Sequence, residues 1–560
     1  MRERLATFAK MARIFILLSL VSTLSLAENW KQESSPKLNF LELNGYFRAR
    51  MDLWSRCDLR TFVPDGEAPG VPAGGTSGCP VPQSYSDSEN KGKSAFDRPG
   101  TVFSNNMRLR IEPTLNVTEE IRIKAQADIF DNVVLGNAPG LFAGNGVSPS
   151  YPYSFITGTV WPAQMSFITF KRAWAEIDTP VGEIRFGRQP LNWGMGVLYN
   201  AGNDITNDYG DNVDGVTFIT QLWGHYVIPG IYVSYSPDKS IQRGGGLGDL
   251  GNQKGAYKSE EWGQRYNLDP STNIYSLNIG FAKKDKEADI KALLSDGHRV
   301  LNYGAMGTYR FRTRDSSNIG LLSLWTDFHV EKFHIEGEAV GIAGKIGNAN
   351  GLCVEANDPA CSGSLTILQA GVAMRSRYGF LNDALGVGLD AGWASGDSAF
   401  GMGARPAANN RNPKKGDADG QQFGGSDTNI TNFRFNPDYR IDLLLFREII
   451  GTVTDAFYIK PHIGYDITKS FGARLDIISS FTNFKESAPG QSNLLGLEFD
   501  ASLYYKSEQG IYAMVQYGLL IPFSGLNHGD DKVINNQELM KQFGTARVAH
   551  AFQLFAGVAF

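Results

Sequence analysis

Past residue 26 this chain of 560 residues has no long apolar run, and its mean hydropathy is −0.23. A helical membrane protein would show repeated stretches of ~20 apolar residues, so that class is excluded. Charge of one sign is also missing: 53 Lys and Arg stand against 58 Asp and Glu, a net of −5 that gives nucleic acid no electrostatic footing. The four cysteines have no CxxC spacing and no histidines beside them, which argues against a structural metal site. GxSxG, HExxH and phosphate-loop motifs are absent, and no repeat of solenoid or propeller length is seen. Gly246 to Gly251 does match GxGxxG, but it lies in a long polar stretch with no helix after it and carries no nucleotide site. Neither an enzyme activity nor a cofactor is expected.

What the chain does have is glycine, aromatics and two informative ends. Arg2, Arg4, Lys10 and Arg13 precede an apolar run from Ile14 to Leu26, and Ser25-Leu26-Ala27 fits a small-residue cleavage site. Too short to span a bilayer, the run reads as a secretory signal over residues 1–27, with no cysteine after it to take lipid. At the other end Phe552, Leu554, Ala556, Val558 and Phe560 share one face of an extended strand. Period-two apolarity suits a lipid-facing last strand, and its terminal aromatic resembles the signal by which Gram-negative cells hand barrels to their assembly machinery.

After a short tail (28–40) the rest, 41–560, reads as one transmembrane antiparallel β-barrel of about eighteen strands, within a range of 16–20. Leu41 to Asp52 sets Glu42, Asn44, Tyr46, Arg48 and Arg50 against Leu41, Leu43, Gly45, Phe47 and Ala49. Asn106 to Val117 sets Arg108, Arg110 and Glu112 against Met107, Leu109 and Ile111, and Ile121 to Asp131 sets Arg122, Lys124, Gln126 and Asp128 against Ile121, Ile123, Ala125 and Ala127. Each is a strand with one oily and one charged face. Tight connections such as Thr118-Glu119-Glu120 and Pro180-Val181-Gly182 alternate with long polar ones: 53–103, 132–166, 191–212, 237–272, 345–363 and 397–438. That sorting predicts short periplasmic turns and long extracellular loops.

One segment is left over. Arg440 to Ile450 would make the strand count odd, and Leu443, Leu444, Phe446 and Ile450 recur at helical spacing. The expectation is that the long loop over 397–456 folds into the lumen there, with Arg440, Asp442, Arg447 and Glu448 forming a constriction; the alternative is an extension of the next strand. Strict alternation makes Arg48, Arg50, Arg108, Arg110, Glu112, Arg122, Lys124, Asp128 and Arg185 channel-lining. So many ions need water or partners. Either they pair with Glu42, Asp52, Glu112, Asp128 and Glu183 along the wall, or surplus arginines leave a cationic stripe that attracts anions.

Cys57 and Cys79 lie in one loop and Cys353 and Cys361 in another, so local disulfides are expected in an oxidising exterior. The oxygen-rich run Asn203, Asp204, Asn207, Asp208, Asp211, Asn212 and Asp214 is either a solvated turn or a calcium loop without the bidentate glutamate of an EF-hand, and residues 415–420 form a weaker candidate of the same kind. His329 and His334 flank the tight Glu331-Lys332 turn and are close enough to meet; a satisfied wall histidine is the plainer reading than a ligand.

Phe170-Lys171-Arg172-Ala173-Trp174-Ala175-Glu176, Gly187-Arg188-Gln189-Pro190 and Asn192-Trp193-Gly194-Met195-Gly196 resemble a family of uncharacterised outer-membrane proteins of delta-proteobacteria. Residues 44–50, 209–214 and 440–448 carry the same resemblance, which spans nearly all of the mature chain and implies fold rather than activity. A more distant similarity, to alginate-export porins, rests on size, strand count and inward arginines. The expectation is therefore a monomeric outer-membrane channel, passive for small polar and preferentially anionic solutes. An anionic-polysaccharide exporter and a closed barrel acting through its surface loops are the alternatives.

Overall fold

In a computed structural model, residues 40–57, 59, 101–134, 168–234, 274–313, 316–347, 364–398, 402, 429–527 and 545–560 are described. Their strands are β1 (Leu41–Ser55), β2 (Thr101–Asn116), β3 (Ile121–Val134), β4 (Ile168–Thr179), β5 (Gly182–Pro190), β6 (Asn212–Leu222), β7 (His225–Ser234), β8 (Ile274–Lys283), β9 (Arg299–Arg312) and β10 (Ser317–Val330). There follow β11 (Phe333–Ile346), β12 (Leu365–Phe380), β13 (Leu385–Ala394), the two-residue β14 (Asn429–Ile430), β15 (Ala456–Asp466), β16 (Phe471–Thr482), β17 (Leu494–Lys506), β18 (Ile511–Pro522) and β19 (Ala549–Ala559). Every strand except β14 pairs antiparallel with its neighbours in a ring that β1 and β19 close, giving an 18-stranded barrel. β14 only runs parallel beside β12.

The ring closes on the residues that the sequence singled out. Gly45 and Phe560 exchange backbone hydrogen bonds of 3.0 Å in both directions, and a side chain at 45 would meet the Arg110 carbonyl. Phe552 and Ala556 share the outer face with Leu554, Val558 and Phe560, which are exposed, while Phe555 is buried inside against Tyr512. Leu322, Leu324, Leu368, Val372, Leu389 and Trp393 extend the exposed apolar surface on other strands. A contiguous apolar exterior of this kind is what hydrocarbon requires of a barrel.

Tight turns gather at one end. The Thr118 hydroxyl accepts the N–H groups of Glu120 and Ile121, and Trp223-Gly224 turns with both residues at positive φ, which reverses the chain in two residues. The alternation of short and long connections has two exceptions. At the turn end β8 and β9 are joined through a helix, α1 (Glu287–Ser295), supported by a Lys291–Glu287 pair at 2.6 Å and acidic residues in its first turn. At the loop end only residues 313–316 join β9 to β10. Cys79, Cys353, Cys361, residues 415–420 and the GxGxxG run lie outside the described residues.

Candidate functional site

Two connections fold into the lumen and pack on each other: residues 191–211 between β5 and β6, and residues 429–455 between β13 and β15. Asn436 donates its N–H to the Val197 carbonyl at 2.8 Å, and Asp438 accepts the N–H groups of Asp208 and Tyr209 at 3.0 and 3.1 Å.

The first connection is clamped by arginines of the wall. Asp208 accepts Arg48 at 2.5 Å, Arg50 at 2.9 Å and, from the second connection, Arg440 at 2.5 Å. Arg48 and Arg108 both donate to the Asn207 carbonyl at 2.9 Å. Arg110 grips Asp128 in a two-point pair of 2.7 and 2.9 Å and sends its remaining nitrogen to the Gly202 carbonyl at 2.8 Å. Gly202 has φ +65°, and any side chain there would collide with the Tyr209 carbonyl. Burial would raise the Asp208 carboxyl, yet Arg50, Arg440 and Arg48 together hold it well below the usual range.

Residues 440–450 do not pair as a wall strand. Leu445–Ile449 form a short π-helical turn where the sequence showed helical spacing. Glu498, projecting inward from β17, accepts the N–H groups of Leu443, Leu444 and Leu445 at 3.0, 2.8 and 3.0 Å, and Asp442 accepts those of Phe446 and Arg447 at 2.9 and 3.0 Å. Five backbone donors are thereby satisfied away from water, which is what permits irregular chain at this depth. Glu338 does the same for the first connection, taking Met195 and Val197 at 2.9 and 3.1 Å while Ser323 steadies it at 2.9 Å. Leu444, Phe446, Ile449, Phe433, Phe435 and Val197 then form a buried apolar core inside the barrel.

The expected lining residues thus divide into two groups. Arg48, Arg108, Arg110 and Asp128 point inward as the alternation required but are sealed under the first connection. Nearer the turns, Arg122 takes Asp178 at 2.7 and 3.0 Å, Lys124 takes Glu176 at 3.0 Å, Arg185 pairs with Glu183, and Gln126 bonds Glu112. That ladder is the wall pairing weighed in the sequence. Asp208 and Asp211 of the oxygen-rich run face arginines, backbone amides and Asn436 instead of a shared centre, while Asp204 caps Thr206 at the surface.

Among the described residues, a cavity of about 310 Å³ is lined by Arg50, Arg440, Arg447 and Lys460 together with Asp204, Asp442, Asp476 and Asp500. Gln553, Gln516, Ser502 and Tyr512 add neutral polar groups. Arg50 Nη2 and Asp500 Oδ1, on two of the lining residues, are buried atoms with no hydrogen-bond partner among the described residues.

No family model and no curated protein matches the chain. Among solved structures it is similar to OccK11 of Pseudomonas aeruginosa, with TM-score 0.43 and 9% identity over 92% of this chain and 96% of that one. A BenF-like porin from Pseudomonas fluorescens gives 0.44 and 8% over 93% and 100%, and OccAB1 of Acinetobacter baumannii gives 0.45 and 10% over 95% and 99%.

Sequence reading missed several residues that organise the lumen. Glu338 and Glu498 are ordinary inward glutamates by pattern, and nothing local marks them as amide acceptors for loops 141 and 55 residues away. Arg172 on β4, which holds the Ala201 carbonyl and Asn203, was not among the expected lining residues. The hub at Asp208 was legible only as one acid among several.

Proposed function

We propose that this protein is an outer-membrane, porin-like channel whose two inserted connections narrow an otherwise wide aqueous barrel to a charged passage for small polar solutes. The observation that carries the reading is the cavity between the second connection and the wall, lined by four basic and four acidic side chains. An 18-stranded ring leaves a lumen too wide for wall side chains alone to fill, so the inserted chain sets the bore. We assign its anion preference to Arg440 and Arg447, the cationic side chains of the second connection that line this cavity, Arg440 while also bonding Asp208. A cavity of this volume suits a solute of a few functional groups better than a polysaccharide strand.

The apolar core inside the lumen favours a second reading, a barrel closed by its own loops. Planar-bilayer recording under a salt gradient separates the two. A steady conductance whose reversal potential shifts toward cations in Arg440→Gln/Arg447→Gln supports the channel and its selectivity; silence from folded protein sinks the channel. The signal over residues 1–27, delivery to the assembly machinery through the β19 terminus, and a monomeric state belong to the same proposal. So does local pairing of Cys57 with Cys79 and Cys353 with Cys361. Mass mapping of the unreduced protein tests that pairing.

A further inference from the structure

We propose that the β10–β11 hairpin carries a divalent transition-metal site made of Asp327, His329 and His334, a binding property beyond the channel reading and independent of it. The sequence fixes the positions. A two-residue turn, Glu331-Lys332, pairs His329 directly opposite His334, and the alternation of β10 puts Asp327 on the same inward face two residues earlier. The imidazole rings stack with centroids 4.2 Å apart and planes within 8°. Both Nε2 atoms are aimed at the same Asp327 oxygen, Oδ1, at 2.8 Å for His329 and 2.7 Å for His334.

All three ligand atoms lie within 4.8 Å of one another, the one such grouping of His, Cys, Asp and Glu among the described residues. An ion bonded to two imidazole nitrogens and a carboxylate at ~2.0–2.2 Å spaces them about 3.3 Å apart, so the closest contacts need to open by about 0.5–0.6 Å. Support comes from a neighbouring strand: Asn302 on β9 donates to Asp327 Oδ2 at 3.2 Å, fixing the carboxylate while leaving Oδ1 to the ion. The other charges nearby are accounted for. Glu336, opposite Asp327, accepts the Trp325 indole N–H at 2.9 Å, and Arg377, opposite His334, donates to the Asp383 carbonyl at 2.9 Å. His334 stays partly exposed, which gives the ion an approach and leaves a coordination position for water. Two nitrogens and one oxygen suit Zn²⁺, Ni²⁺, Co²⁺ or Cu²⁺ and disfavour Ca²⁺ and Mg²⁺, which take oxygen.

The test is equilibrium dialysis of the full-length folded barrel in detergent against Zn²⁺ with Mg²⁺ in excess, read by elemental analysis. It is repeated with Co²⁺, whose visible absorption reports nitrogen ligation. The expected result is one ion per chain, with affinity falling at least tenfold in His334→Gln and in Asp327→Asn, each checked for folding by its heat-dependent gel mobility. His225→Gln, on a different hairpin, should change nothing. No bound ion in the folded wild type, or equal binding in all variants, overturns the site. A channel with no metal and a metal-binding barrel with no conductance are distinct outcomes, so the two proposals fail separately.

Discussion

Asp208 concentrates the electrostatics of the lumen in one carboxylate shared by Arg48, Arg50 and Arg440. Replacing it with Asn leaves two buried cations and the half-buried Arg440 without their common anion, at a cost of about 3–5 kcal/mol as for other broken buried pairs. The expected readouts are a lower denaturation midpoint and a noisier, larger conductance. Because its native pKa is depressed, its stabilisation is complete above the ordinary carboxylate pKa and is lost as pH falls through the native value. Glu448 has the opposite sign. Burial pushes it up to about 7, outweighing Arg447 at 3.3 Å, with Asp52, Arg50 and Arg440 also facing it. Its contribution is whole below the usual glutamate pKa and disappears as pH rises through about 7. Amide exchange at Leu445 to Ile449 should therefore accelerate between pH 5 and pH 8, beyond the intrinsic pH effect, and Glu448→Gln should flatten that excess. An unchanged excess in the variant would remove Glu448 as its source.

Strands and inserted connections were unequally legible. Period-two alternation located the wall because each strand meets lipid on one face and lumen on the other, a constraint written locally. The inserted chain obeys no period. Helical spacing in residues 440–450 marked it as different from the wall, but a π turn arises from tertiary demand: Glu498 captures three successive amides at its start and Asp442 the next two. Glu498→Ala should orphan the three donors at about 1–3 kcal/mol each and speed exchange at Leu443 to Leu445 well over tenfold, while the wall strands stay protected. Equal acceleration across β17 would mean that the wall, not the loop, depends on this glutamate. The β8–β9 connection teaches the same lesson from the other side, since its polar, mildly helical run gave no apolar period to find.

At the scale of the whole molecule the barrel holds because its first and last strands meet, with β19 in register against both β1 and β18. Removing residues 558–560 deletes the Phe560–Gly45 pairing and the end of the lipid-facing stripe, and should abolish heat-modifiable, folded protein in the outer-membrane fraction. Retention of folded protein would show that the rest of β19 suffices for closure. The sequence by itself determined the ring: alternation, parity and an apolar last strand are local consequences of a wall one residue thick between hydrocarbon and lumen. It also determined which side chains face inward. Whether an inward arginine meets water or a carbonyl was decided only by tertiary structure, because the partners of Arg48, Arg108 and Arg110 come from a loop about 90–160 residues away whose path no local pattern encodes.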